Sequence, residues 1–374
     1  MPESPRLVVR PQHARENYRA LGAAMPTRGR VATRIRFAVK AAPIPEIIRV
    51  LDDEGAEFDV ASVGEIELCL RQGVAAEKLS YGNPIKKAAD IARAYALGVR
   101  GYAFDTEDDL LRIAEHAPGV GVECRFCATV AQSRTPFGMK FGCAPQETAP
   151  LLVRARDLGL TVLGPYFHVG SQQLDPAAWR TGIEEAGRVC AALAEQDIAV
   201  ASVNVGGGLP IPYAGADAEA PAPAVIAAVI ERAAVEFLPA AAGLVVEPGR
   251  ALVGSAGTLH AEVVAVRTAP DGRRWVYLDV GRYNGLAETE NEYIAYRFVT
   301  ERDGDPVGDA VVAGPTCDGD DVLYQRTRVP LPTTLRAGDR IQILDTGAYT
   351  ASYSSVSFNG FPPLTVDVSG PERK

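Results

Sequence analysis

The stretch RIRFAVKAAPIPEIIRVLDDEGAEFDVAS (34–62) reads as one strand–helix–strand unit. RIRFAVK (34–40) and EFDVAS (57–62) are short apolar runs, and PEIIRVLDDEG (45–55) is patterned like an amphipathic helix. Working outward, further β-like runs follow at KLSYGN (78–83), GYAFDT (101–106), VECRFCAT (122–129), VLGPYFHVG (162–170), SVNVGGG (202–208) and GLVVEPGR (243–250). Helical segments such as GEIELCLRQG (64–73) lie between them. Strands alternating with helices imply parallel pairing and right-handed crossovers. Eight such units in this length predict an α/β fold with a closed, TIM-like (β/α)8 barrel; an open doubly wound sheet is the runner-up.

The pattern changes after about residue 257. GTLHAEVVAVRT, RRWVYLDVG, AVVAGPT and DRIQILDTG are short and β-branched, with Asp271-Gly272 and Asp303-Gly304 as turns between them. A mainly antiparallel β domain is expected here, to which the opening PRLVVR supplies a strand. The expected boundaries are 16–257 for the barrel, and 1–15 plus 258–374 for a β-sandwich or barrel-like domain. LPIPYAGADAEAPAPA (209–224) is the clearest long loop.

A net charge of -9 argues against a general nucleic-acid binder, and no apolar run is long enough to span a membrane. The start lacks the order of a secretory signal, and six scattered cysteines are too sparse for a disulfide framework. The expected setting is a reducing cytoplasm. Cys124 and Cys127 form a C-x-x-C inside a strand-like run without a second ligand pair, so no metal is expected.

Barrel enzymes carry their chemistry at the C-terminal ends of the strands. Those ends read Lys40, Asp59, His168, Gly206 to Gly208, and Glu247 with Arg250. Each alone has a bland reading: a snorkelling lysine, a core histidine, a tight glycine turn, a surface ion pair. Together and in order, FAVKAAP, FDVASVGEIE, FHVGSQ, NVGGG, VEPGR, AGPTCDGDD and GAYT resemble the signature set of the ornithine, diaminopimelate and arginine decarboxylases, which share a barrel type with alanine racemase. The likeness runs from about residue 30 to FNGF at 361, and RYNGLAETENE with GPTCDGDDVLY most resembles the bacterial ornithine/lysine branch.

The resemblance implies a pyridoxal 5'-phosphate cofactor bonded to Lys40 through its aldehyde. It implies that Glu247 meets the pyridine nitrogen and that His168 stacks on the ring. Gly206, Gly207, Gly208, Gly249, Arg250, Ser171 and Tyr349 would surround the phosphate, and Asp59 and Glu65 would lie beside the cofactor. Cys317 would return a proton to the α-carbon, with Asp318, Asp321 and Tyr283 on the substrate side. Cys317 and Asp318 would reach the partner subunit's barrel, which implies a homodimer with shared sites.

A small basic amino acid is the implied substrate: L-ornithine giving putrescine first, with L-lysine giving cadaverine beside it. Lysine, arginine or diaminopimelate as the main substrate is the alternative. A catalytically silent binding homologue is the reading of another class, and the Cys-Asp turn speaks against alanine racemisation. Two departures stand out. The basic partner of Glu247, expected near MKFG, is open between Arg134 and Lys140, and Asp320 adds a charge inside the Cys-Asp turn.

Overall fold

Short apolar strands leading into amphipathic helices close on themselves in this chain. The computed structural model describes residues 4–28, 31–128, 133–135, 139–215 and 219–370. Thr129 of the fifth expected strand and residues 216–218 of the long loop lie outside the described residues. Two compact units are present: Arg15–Pro210 with Pro221–Leu252, and Met1–Ala14 with Ile211–Ala220 and Val253–Lys374.

Strand β1 (Arg6–Val9), helix α1 (Pro11–Ala24) and a hairpin of β2 (Thr27–Arg28) and β3 (Val31–Ala32) come first. Eight βα units follow: β4 (Arg34–Ala38) and α2 (Pro45–Asp53), β5 (Glu57–Val60) and α3 (Val63–Arg71), β6 (Leu79–Tyr81) and α4 (Ala88–Ala96), β7 (Gly101–Phe104) and α5 (Glu107–His116). They continue with β8 (Gly121–Phe126) and α6 (Pro145–Asp157), β9 (Thr161–Phe167) and α7 (Ala177–Ala194), β10 (Ser202–Asn204) and α8 (Pro223–Phe237), β11 (Gly243–Val246) and the short α9 (Arg250–Val253). Strands β4 to β11 form a closed parallel barrel in sequence order, with β11 back on β4. The open-sheet alternative is thereby excluded.

Local chemistry sets the helix starts. Pro45 begins α2, where its missing N–H costs nothing. Ser62 caps α3 by accepting the Glu65 N–H, and Thr106 caps α5 by accepting the Asp109 N–H.

The strands stop a few residues before the apolar runs do, and the remainder forms the barrel mouth. Lys40 sits in a 3-10 turn over Val39–Ala41, closed by the Ala42 N–H on the Val39 carbonyl at 3.0 Å. Gly206 and Gly208 adopt φ of 68° and 89°, left-handed backbone that ends β10 and favours glycine.

The second unit is built on β12 (Gly257–Thr268), β13 (Arg274–Leu278), β14 (Arg297–Thr300), β15 (Val307–Ala313), β16 (Val322–Pro332), β17 (Arg340–Leu344) and β18 (Thr365–Val368). Its sheet runs β14-β17-β12-β13-β15-β16, and β1 joins through β12 and carries β18. Pairing is antiparallel except between β1 and β18 and between β13 and β15. Residues 211–220 of the expected long loop belong to this unit, and α8 begins at Pro223. Among the described residues, no helix is long and apolar enough to cross a membrane.

Candidate active site

The C-terminal ends of the barrel strands bring Lys40, Asp59, Glu65, His168, Ser171, Gly206 to Gly208, Glu247 and Arg250 into one unit. Lys40 Nζ lies 3.1 Å from Asp59 Oδ2; Asp59 is buried, whereas the Lys40 side chain is 44% exposed. That contrast leaves the amine accessible with an anion fixed beneath it. The backbone at Gly82 is drawn tight against Asp59, since a Cβ there would stand 1.9 Å from Oδ1. Glu65 accepts the Ala61 N–H at 2.7 Å, so it braces the turn after β5. Burial raises its carboxyl above the usual range, with the nearby Asp59 adding to the effect.

His168 Nδ1 accepts the Gly170 N–H at 2.9 Å. A neutral imidazole with that acceptor carries its proton on Nε2. Burial holds the ring neutral, pushing its pKa well below the usual value, and Arg125 and Lys40 push the same way. The next turn lies against it: a Cβ on Gly207 would fall 3.1 Å from His168 Nε2 and 2.3 Å from the Glu247 carbonyl. Cβ atoms on Gly206 and Gly208 would meet the Phe167 and Gly170 carbonyls at 2.4 Å and 2.3 Å. Only glycine fits this cradle. Arg250 Nη2 donates to Ser171 Oγ at 3.2 Å, and Arg250 is buried. Gly249 immediately precedes it, and its carbonyl accepts the Leu252 N–H at 3.0 Å.

Glu247 is buried, and its Oε1 accepts from Arg36 Nη1 at 3.1 Å and from Asn204 Nδ2 at 2.7 Å. Its basic partner is therefore Arg36 of β4, and the two residues left open beside MKFG, Arg134 and Lys140, are exposed. Arg36, Glu123 and Asn204 are the residues that sequence reading missed. The signal was present, because Arg36 shares strand parity with Lys40 in RIRFAVK, and strand side chains alternate between faces.

Burial, with Asp59 next, pushes the Glu247 carboxyl up to about 7. A carboxyl raised in the folded state contributes stability that is complete below its unfolded pKa near 4.5 and lost as pH rises through about 7. The cofactor-free protein is expected to lose on the order of 3 kcal/mol across that window. Thermal melts from about pH 5 to about pH 8 should show the slope, and Glu247→Gln should flatten it. An identical slope in that variant would place the effect elsewhere.

The remaining expected residues lie in the second unit. Cys317 is exposed, and its Sγ and N–H both lie within hydrogen-bond reach of Asn359 Oδ1, at 3.4 Å and 3.2 Å. Asp318 Oδ1 accepts the Asp320 N–H at 2.8 Å, and burial, with the nearby Asp318 charge adding to it, raises the pKa of Tyr283. Tyr283 packs on Phe358 with ring centroids 4.8 Å apart. Asp321 differs from its neighbours: it is buried, and it accepts from the Arg282 N–H, the Thr316 N–H and the Thr316 hydroxyl at 2.8, 3.0 and 2.8 Å. Those bonds shape the turn. Tyr349 sits after β17 in left-handed backbone, φ 60°.

A lysine at the mouth of a closed barrel, a glycine cradle that a Cβ would fill, and a buried carboxylate with one oxygen lacking a donor among the described residues fit an enzyme site of the pyridoxal-phosphate type. Comparison with known proteins agrees. The profile described as "Pyridoxal-dependent decarboxylase, pyridoxal binding domain" matches residues 12–254. The chain belongs to that family: it is a pyridoxal-phosphate-dependent amino-acid decarboxylase.

It is 32% identical to the lysine/ornithine decarboxylase of Selenomonas ruminantium over 96% of this chain and 88% of that one. Its fold is similar to the Vibrio vulnificus lysine/ornithine decarboxylase complexed with cadaverine, with TM-score 0.86 and 30% identity over 98% and 94% of the two chains. It is also similar to the arginine decarboxylase of Paramecium bursaria Chlorella virus bound to agmatine, with TM-score 0.88 and 25% identity over 99% and 98%.

Proposed function

We propose that this enzyme removes the α-carboxylate of a basic L-amino acid, with L-ornithine the preferred substrate and L-lysine a second one. The observation that carries the reading is the pairing of chemistries within one chain. The barrel holds the Lys40–Asp59 and Glu247 arrangement, and the second unit presents Cys317 next to Asp318. The cofactor supplies an electron sink for the charge left when carbon dioxide departs.

Lys40 presents its amine to the cofactor aldehyde, and Asp59 orients that amine. With the cofactor bound, Glu247 would keep its ring nitrogen protonated, and neutral His168 would pack against the ring. Gly206, Gly207, Gly208, Ser171, Gly249, Arg250 and Tyr349 hold the phosphate, the glycines by exposing backbone N–H groups. Cys317 delivers a proton to the α-carbon, its thiol serving as the acid. Asp318 meets the distal ammonium beside Tyr283, while Asp321 holds the turn that carries it. Cys317 and Asp318 work in the partner subunit's barrel, so the active form is a homodimer. Six free cysteines support a reducing cytoplasmic setting.

Asp318→Asn should raise KM for ornithine and lysine by at least about tenfold, because a charge-assisted contact becomes a neutral one. Cofactor content should not change, and an unaltered KM would remove Asp318 from this role. Steady-state kcat/KM across ornithine, lysine, arginine and meso-diaminopimelate tests the substrate. Ornithine should lead, with lysine lower by about 10- to 200-fold, the discrimination that one methylene gives. Arginine or diaminopimelate in first place would overturn the assignment.

A further inference from the structure

Four polar side chains meet inside the barrel: Arg36 of β4, Glu123 of β8, Asn204 of β10 and Glu247 after β11, each no more than 4% exposed. Burying charges is costly unless they are paired, and apolar residues of similar volume often serve stability as well. The arrangement therefore calls for another explanation. The bonds are unequal. Arg36 grips Glu123 with two nitrogens, Nη1 to Oε2 at 3.1 Å and Nη2 to Oε1 at 3.2 Å, while Glu247 receives only Nη1 on Oε1 at 3.1 Å. Asn204 Nδ2 bridges the two carboxylates at 2.8 Å and 2.7 Å. Among the described residues no donor lies on Glu247 Oε2. One guanidinium between two carboxylates also leaves the cluster one positive charge short when both ionise.

We propose that Arg36, Glu123 and Asn204 are positioning residues, a buried brace that fixes Glu247 through Oε1 and keeps its Oε2, with the cluster's unmatched negative charge, for the protonated ring nitrogen of the cofactor. The inference rests on the assignment of Glu247 to that nitrogen. Asn204 extends the brace to the far end of the cofactor. Its Oδ1 accepts the Gly206 N–H at 3.0 Å, and the Glu247 N–H donates to the Gly206 carbonyl at 2.8 Å. The carboxylate for the ring and the glycine turn for the phosphate thus share one support.

The protonation pattern agrees with this asymmetry. Burial opposes ionisation of Glu123 but is outweighed by Arg36 and Asn204, which hold its carboxyl below the usual range; Glu247 is the member pushed up to about 7. The groups facing Glu247 are Arg36 from β4, Asp59 from β5, Glu123 from β8, Tyr166 from β9 and Asn204 from β10; Lys40 reaches the cluster through Asp59, and Glu57 through Arg36.

The test uses Arg36→Met, Glu123→Gln, the double variant and Glu247→Gln. Three quantities are read: the dissociation constant of pyridoxal phosphate from the apoprotein, the pH dependence of the bound cofactor's visible absorption, and the split between kcat and KM. Arg36→Met should weaken cofactor binding at least about tenfold, lower kcat with KM within about twofold, and displace the absorption titration by about one pH unit. The double variant restores the cluster's net charge but not the Arg36 contact on Oε1, so its cofactor affinity should stay at least about tenfold below wild type; full recovery would make the effect one of charge alone and overturn the brace.

Glu123→Gln, nearly isosteric, decides the matter where Arg36→Met fails to fold. It neutralises the cluster, and cofactor affinity should fall about tenfold. Wild-type affinity and absorption profile in Arg36→Met and Glu123→Gln, with only melting temperature altered, would overturn the brace. The same wild-type values in Glu247→Gln would instead remove the assignment of Glu247 on which it rests.

Discussion

Lys40→Ala is expected to abolish covalent retention of the cofactor and to lower carbon dioxide release by at least about a thousandfold. The reason is positional. Lys40 Nζ stands 3.1 Å from buried Asp59 on a half-exposed side chain, so it combines access with a fixed anionic neighbour. Lys86 offers no replacement: its ammonium is buried against Asp109 at 2.5 Å and also donates to the Ala103 carbonyl at 2.7 Å. Removing Lys40 leaves the glycine cradle and the Arg36–Glu247 cluster intact, so the variant should fold and bind the cofactor reversibly. Borohydride reduction followed by peptide mass spectrometry should find an adduct on the Lys40 peptide of the wild type and none in the variant. An adduct on another lysine, or undiminished release, would reject the assignment.

Gly207→Ala is the second large effect. A Cβ at 2.3 Å from the Glu247 carbonyl lies inside contact distance with backbone, which cannot rotate away as a side chain can. Either the turn after β10 or the end of β11 must move, and on the proposed assignment they border opposite ends of the cofactor. Overpacking of this kind costs about 1–3 kcal/mol, occasionally more, equivalent to as much as a hundredfold in affinity. Equilibrium dialysis of the apoprotein against pyridoxal phosphate should show a loss near that upper figure. An unchanged dissociation constant would mean that the turn does not border the cofactor.

These two positions were legible in the sequence because their signals are local. FAVK ends one apolar run and NVGGG ends another, and alternation of strands with helices places both at one end of a barrel. The opening strand's membership of the β unit was similarly readable, and β1 pairs with β12. What escaped reading is non-local. Arg36 meets Glu123 across 87 residues and Glu247 across 211, and a charged residue within a strand-like run ordinarily marks a solvent-facing position. Periodicity shows that Arg36 shares a face with Lys40, but closure of the barrel turns that face inward. Asp321 shows the converse: GPTCDGDD displays three carboxylates in four residues, and only the hydrogen-bond partners reveal that Asp321 is engaged by its own turn.

Carbon dioxide release by the cofactor-loaded wild-type protein, measured with ornithine, lysine and arginine separately, tests the assignment most directly. Release should occur with ornithine and lysine, accompanied by equimolar putrescine or cadaverine. Bound cofactor without release from any of the three would contradict a basic amino-acid decarboxylase, as would inversion at the α-carbon with the carboxylate retained.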